Sequence, residues 1–204
     1  MYIPSFNRFE DHQQVIAFMQ KYSFATIVST KDNIPVATHL PFLVKVEDDK
    51  IILRAHFAKA NPQASDSIGQ QVLVIFTEPH AYISPKNYEK TENVPTWNYL
   101  AVHAYGNCNV LEGEEIKAAL LTDTIKNYEL DYLKQWDSLT DEYKRKMMNG
   151  ITAFEIVVDD LQAKAKLSQN RSETEHQHII ETLSKSTDTT EHEIAVYMSR
   201  LKKT

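Results

Sequence analysis

Between Phe24 and Thr77 the chain is a succession of β-rich runs joined by short polar turns, and this pattern limits the fold more than any other feature. Phe24-Ala-Thr-Ile-Val-Ser-Thr30 is the first run, and Lys31-Asp-Asn33 is a turn signal. Ile34 to Val46 is a second extended stretch, interrupted by Pro35 and Pro41. Acidic Glu47-Asp-Asp49 turns the chain into Ile51-Ile-Leu-Arg-Ala-His56. Val72-Leu-Val-Ile-Phe-Thr77 is apolar enough to be buried on both faces. Strands at this spacing predict an antiparallel meander that curls into a barrel.

The remainder adds helices and two more strands. Asp11 to Tyr22 carries Val15, Phe18, Met19 and Tyr22 at helical spacing. Glu78 to Pro95 reads as a long structured loop, rich in proline and aromatics, before strand character resumes at Thr96 and runs past Gly106 to Leu111. Gly106 marks a place where the strand bulges. Glu114 to Tyr128 and Thr140 to Asn149 are helical, and Ile151 to Val158 returns to strand. Ser172-Glu-Thr-Glu175 and Thr190-Glu-His-Glu193 have capping-box spacing, and they predict helices over 173–185 and 191–202. The expected class is mainly β with α additions (α+β): one β-barrel over 1–171 with inserted helices in 114–149, and a C-terminal helical extension over 172–204 packed on it.

Composition removes several function classes. The formal net charge is −6, with Lys and Arg scattered, which argues against a general nucleic-acid surface while leaving room for a local patch. Cys108 is the only cysteine, so no internal disulfide can form. The N-terminal residues lack the basic-then-apolar pattern of a signal peptide, and no run approaches the roughly 18 apolar residues of a membrane span. A cytoplasmic location is expected. His176, His178 and His192 lack a carboxylate or cysteine partner at metal-ligand spacing, so no metal is expected. There is no dinucleotide fingerprint, Walker sequence or nucleophile elbow.

The most informative stretch is Arg54-Ala-His-Phe-Ala-Lys-Ala-Asn-Pro-Gln63, where a strand ends in a turn holding His56, Lys59, Asn61 and Gln63. Lys59 is placed to neutralise a phosphate, with Asn61 and backbone amides donating. The same residues also read as a solvated strand-to-helix turn capped by Asn61. Thr38-His-Leu-Pro-Phe42 lies on the preceding strand, where a planar cofactor would need a largely apolar slot. Residues 79–85 and 94–105 are dense in aromatics, which suits a ring-binding cleft, a subunit interface or plain core. Lys166, Gln169 and Arg171 follow the last expected strand with enough reach to enter a cleft.

Taken together, Met1-Tyr-Ile-Pro4, Pro35-Val-Ala-Thr-His-Leu-Pro41, His56-Phe-Ala-Lys-Ala-Asn-Pro-Gln63, Pro79-His-Ala-Tyr-Ile-Ser-Pro85, Val94-Pro-Thr-Trp-Asn-Tyr99, Val102-His-Ala-Tyr-Gly106 and Lys166-Leu-Ser-Gln-Asn-Arg171 resemble the PaiB-like proteins, FMN-binding negative transcriptional regulators. The resemblance runs in order to about Arg171. It implies a split barrel related to the pyridoxamine-phosphate-oxidase-like proteins, a homodimer, and flavin mononucleotide (FMN) at the dimer interface. On that resemblance Thr38, His39, Leu40 and Pro41 run beside the flavin, and His56, Lys59 and Asn61 approach its phosphate. Trp97, Gln169 and Arg171 complete the set, with the 169–171 segment reaching in from the partner. The related oxidases carry a Ser-Arg-Lys-type clamp where this chain has Ala58-Lys-Ala-Asn61, and a tryptophan where it has Ser168.

The regulator reading leaves three routes open: a partner, a DNA-contacting patch assembled by the dimer, or an indirect effect of flavin chemistry. An alternative is a flavin-dependent oxidoreductase or flavin reductase, in which His39, His56 and Tyr82 orient substrate while the cofactor supplies the chemistry. A third is a haem-binding or haem-degrading protein, as in other split barrels.

Overall fold

The computed structural model describes residues 1–201; residues 202–204, where the last expected helix ends, lie outside the described residues. The strands are β1 (Phe24–Lys31), β2 (Ile34–Pro41), β3 (Leu43–Glu47), β4 (Lys50–Ala58), β5 (Gln71–Ile83), β6 (Thr96–Val110) and β7 (Ile151–Lys166). They form one sheet in the order β2-β1-β5-β6-β7-β4-β3. The helices are α1 (His12–Lys21), α2 (Pro62–Ser67), α3 (Glu114–Tyr128), α4 (Leu133–Ser138), α5 (Asp141–Asn149), α6 (Glu173–Ser184) and α7 (Thr189–Ser199).

The chain divides into two compact units. One, the barrel unit, holds Ile16–Phe76 and His103–Leu161; the other, the terminal unit, holds Met1–Val15, Thr77–Val102 and Gln162–Thr204. Strands β5, β6 and β7 each run through both.

In the barrel unit, two tight hairpins set the register. Asp32 and Asn33 join β1 to β2, and Asp48 and Asp49 join β3 to β4; all four have φ between 48° and 63°. Positive φ at both loop residues is the two-residue turn whose twist matches paired strands, and Asp and Asn tolerate it best after glycine. Lys31 then pairs with Ile34, and Glu47 with Lys50. Phe42, between β2 and β3, packs edge-on against Phe76 of β5 and Phe154 of β7, with ring centroids 6.0 and 6.1 Å apart. Phe154 stacks on Phe57 of β4 at 4.7 Å. Contacts reaching from one side of the sheet to the other show that it curls around a core that includes Ile27, Leu53 and Ile156. Helix α3 covers Leu43 and Ala153 with Leu120. It is anchored by the Ser23–Tyr128 hydroxyl contact at 2.6 Å and a Lys45–Asp123 ion pair.

In the terminal unit, the first residues run along β7, with Phe9 N donating to Ala163 O at 3.2 Å. Helices α6 and α7 bury Ile179, Leu183, Ile194, Ala195 and Met198. Thr182 Oγ1 donates to Asn87 Oδ1 at 2.7 Å, and Asn98 Nδ2 reaches Met198 Sδ at 3.5 Å, so these helices pack on the start of β6 and the loop before it.

Several sequence readings are corrected. The stretch expected as loop from Glu78 remains strand through Ile83, because Ala81 and Ile83 alternate into the core. β5 is not buried on both faces: Val72, Val74 and Phe76 are inside, while Leu73 and Ile75 are half-buried. β7 extends to Lys166, so that residue ends the strand rather than following it. The cap of α7 is Asp188, whose Oδ1 accepts from Thr190 N at 2.8 Å, so the helix starts at Thr189 ahead of the expected Thr190 box. A carboxylate two residues upstream outcompetes the threonine hydroxyl for the first free amides.

Candidate functional site

In the barrel unit, β4 ends at Ala58 and α2 begins at Pro62, leaving a three-residue turn. Asn61 fixes it. Its Oδ1 accepts from Gln63 N at 3.0 Å, capping α2, and its Nδ2 donates to Thr38 Oγ1 at 3.0 Å. Thr38 Oγ1 donates onward to Gln63 Oε1 at 2.5 Å. Gln63, only 1% exposed, spends its amide hydrogens on Ser29 Oγ and Val36 O at 3.0 Å and on Ile27 O at 3.3 Å. Strands β1 and β2 and the turn into α2 are therefore tied to one buried residue. Sequence reading noted Gln63 in its motif but did not assign it a role; the signal was a long amide placed just after a capping Asn-Pro.

Within the turn, Lys59 N donates to Gly150 O at 2.8 Å and Asn61 N to Ala58 O at 2.9 Å. Those amides and most of Asn61 are thus committed to the fold, which corrects the expectation that they serve a ligand. The Lys59 side chain is exposed and, among the described residues, forms no ion pair. Lys31, by contrast, is held by Asp66 at 2.9 Å. An ammonium without a carboxylate at the mouth of a rigid turn fits a phosphate group, so the residues present suit FMN at this point.

The four β2 residues divide. Thr38 and Leu40 are half-buried on one face of the strand, the face of the Asn61–Gln63 network, and alternation sends His39 and Pro41 to the other. There His39 stacks with Phe24 at 6.3 Å and 27°, and Phe24 is 69% exposed. His56 sits on β4 between the buried Ala55 and Phe57, so its ring faces away from the barrel core, half-buried. Burial lowers its pKa below that of an ordinary histidine.

The other predicted residues belong to the terminal unit. Trp97 is 52% exposed and touches the rings of His80 and Tyr82, each at 5.8 Å. Gln169 closes its own turn: Oε1 accepts from Leu167 N at 2.7 Å and Nε2 donates to Ala165 O at 2.5 Å. Between them Ser168 adopts φ 61° and donates from Oγ to Asn98 Oδ1 at 3.1 Å. Arg171 lies 3.8 Å from the Tyr88 ring centroid, donates to Asn93 Oδ1 at 2.8 Å and stands 3.7 Å from Glu175. Lys166 donates to Thr96 Oγ1 and, at 2.7 Å, to Trp97 O. These polar side chains, expected to reach into a cleft, bind the chain around them. Among the described residues no cluster of His, Cys, Asp or Glu has the makings of a metal centre.

A curled antiparallel sheet with helices inserted before its last strand is the fold of the flavin-binding split barrels. Solved structures sharing it include the flavocytochrome Anf3 of Azotobacter vinelandii (TM-score 0.62, 13% identity, covering 76% of this chain and 67% of that one). Another is the FAD and heme binding protein of Mycobacterium smegmatis (TM-score 0.61, 17% identity, 76% and 71%). Residues 1–160 match the family described as "Putative FMN-binding domain", and the chain belongs to that family. It is 41% identical over 207 residues to the protease synthase and sporulation protein PAI 2 of Bacillus subtilis, covering 100% of this chain and 99% of the relative. An uncharacterized protein of Emericella nidulans is 29% identical over 184 residues, covering 71% and 73%.

Proposed function

We propose that this protein is a PaiB-like FMN-binding regulator that holds the FMN phosphate at the Ala58–Asn61 turn, with Lys59 as its charged partner. The ring lies along Thr38 and Leu40, on the face of β2 that carries the Asn61–Gln63 network, with His56 near its polar edge. Trp97 comes to the site from a second copy in a homodimer, beside the turn that Gln169 and Arg171 hold in shape. In this reading residues 1–171 are the flavin domain and 172–204 an extension, the setting is the cytoplasm, and any DNA contact is local. The observation that carries the proposal is the Lys59 ammonium, without an ion pair among the described residues, beside a turn locked by Asn61, Thr38 and Gln63. The name of the Bacillus subtilis relative, which speaks of protease synthesis and sporulation, supports a regulatory role. The net charge of −6 confines a DNA contact to a small patch.

The test is titration of flavin-free protein by fluorescence quenching, with FMN and with riboflavin, which lacks the phosphate. Lys59→Ala should weaken FMN by about tenfold, the worth of one charge-assisted contact, and leave riboflavin unchanged. Lys146→Ala should do neither. Equal FMN affinity in the two variants removes Lys59 from the phosphate role. Light scattering checks the dimer, and a salt-sensitive gel shift with the protein's own promoter region checks the regulator.

A further inference from the structure

The flavin proposal uses neither Lys164 nor Lys166, two cations at least partly withdrawn from solvent. They occupy alternate positions of β7 and so share a face, roughly 7 Å apart along the strand. Lys164 is only 8% exposed; its ammonium lies 5.1 Å from the Tyr99 ring centroid and 5.9 Å from that of Tyr2, and it donates to Tyr2 O at 3.2 Å. Among the described residues Lys166 donates to Thr96 Oγ1 and Trp97 O. Neither has a carboxylate among the described residues, so two like charges are drawn out of water with neutral acceptors alone, a costly arrangement without a counter-ion. Burial, and after it the charge of Lys164, pulls the Lys166 pKa below that of an ordinary lysine.

Next to this pair lies an aromatic shelf. His80 and Tyr82 alternate on β5 with buried Ala81 and Ile83, and both rings meet that of Trp97 on β6. Trp97 and Tyr82 are 52% and 46% exposed. Large rings left open beside unneutralised cations supply the two halves of one recognition surface: stacking area for a flat ring, and charge for its anionic substituent.

We propose that this face of the terminal unit binds a planar aromatic anion, its negative group against Lys166 with the buried Lys164 charge behind it, and its ring stacked on Trp97 and met edge-on by Tyr82. The inference stands apart from the flavin reading, although Trp97 is common to both. Calorimetric titration of flavin-free protein with 2-naphthoate, 2-naphthylmethanol and inorganic phosphate tests it. Naphthoate should bind saturably, at least about tenfold tighter than either the neutral alcohol or phosphate, because each lacks one half of the recognition. The Trp97 indole N–H resonance should shift, and Trp136→Phe assigns it. Lys166→Met should lose about tenfold in naphthoate affinity, Lys166→Arg should restore most of it, and near-ultraviolet circular dichroism shows that each variant is folded. Lys146→Ala, outside both sites, should leave naphthoate binding unchanged, and the fate of the FMN proposal is read separately from the Lys59→Ala titration with FMN. Equal binding of acid and alcohol, phosphate binding as tightly as naphthoate, or a Lys166→Met titration matching the parent would overturn the site.

Discussion

Gly106 of β6 passes so close to Val157 of β7 that a Cβ added to the glycine would stand 2.3 Å from the Val157 carbonyl oxygen and 2.7 Å from Ile156 Cγ2. The first of these neighbours is backbone of a long central strand, which cannot give way without breaking its ladder. Gly106→Ala should therefore destabilise the protein by about 2–3 kcal/mol through overpacking. A urea midpoint lowered at unchanged slope is the expected result; an unchanged midpoint would show that the two strands separate freely.

Gln63 offers a second test of rigidity. Replacing it with Leu leaves Thr38 Oγ1, Ser29 Oγ and the Val36 carbonyl without the partner they share. A loss of about 2–4 kcal/mol is expected from unsatisfied buried groups, whereas Gln70→Leu, at an exposed position, should change stability little. Because Thr38 and Asn61 lean on the same side chain, Gln63→Leu should also weaken FMN in the quenching titration.

Cys108 is fully buried, 3.9 Å from Ser67 Oγ, and burial raises its thiol pKa from 9.0 to about 11. The thiolate is the reactive form, so the native protein should react slowly with a disulfide reagent at neutral pH and promptly once unfolded. The linkage has a sign. Between about pH 9 and 11 the unfolded chain gives up a proton that the folded chain keeps, so stability falls across that window. Cys108→Ser should flatten this part of the stability curve.

His56 makes the corresponding prediction in acid. Burial lowers its folded pKa, so the neutral ring is favoured by the fold. Its contribution is complete above the unfolded value near 6.5 and is lost as the pH drops through the folded pKa. Titration followed by nuclear magnetic resonance should show His56 protonating below an ordinary histidine, and His56→Gln should reduce the loss of stability in that range.

Most strands and the major helices were legible in the sequence because local signals and tertiary demands agree there. The Asp32-Asn33 turn, the α1 stripe of Val15, Phe18 and Met19 and the Asn61 cap are such places. What escaped were features decided by distant partners. Glu78 and Pro79 look like loop residues, yet β5 carries through them because Ala81 and Ile83 reach the core. Thr38 and His39 were read as neighbours along one ligand, whereas strand alternation sends them to opposite faces. Gln169 and Arg171 are long polar side chains whose partners, Ala165 and Leu167 in one case and Tyr88 and Asn93 in the other, only the folded turn reveals. The Lys164–Lys166 pair was half visible: Lys166 was noticed, but not Lys164 or the missing carboxylates.

The prolines of β2 decide how this molecule can meet others. With Lys31 and Ile34 flanking a two-residue turn as a mutually bonded pair, the odd positions from Pro35 to Pro41 direct their backbone groups outward, along the rim of the sheet. Two of the nitrogens on that rim carry no hydrogen, so an incoming strand finds donors only at Ala37 and His39. Ribbon-like polymerisation through this border is thereby starved of its main-chain glue, and a visiting chain must be chosen by what its side groups offer.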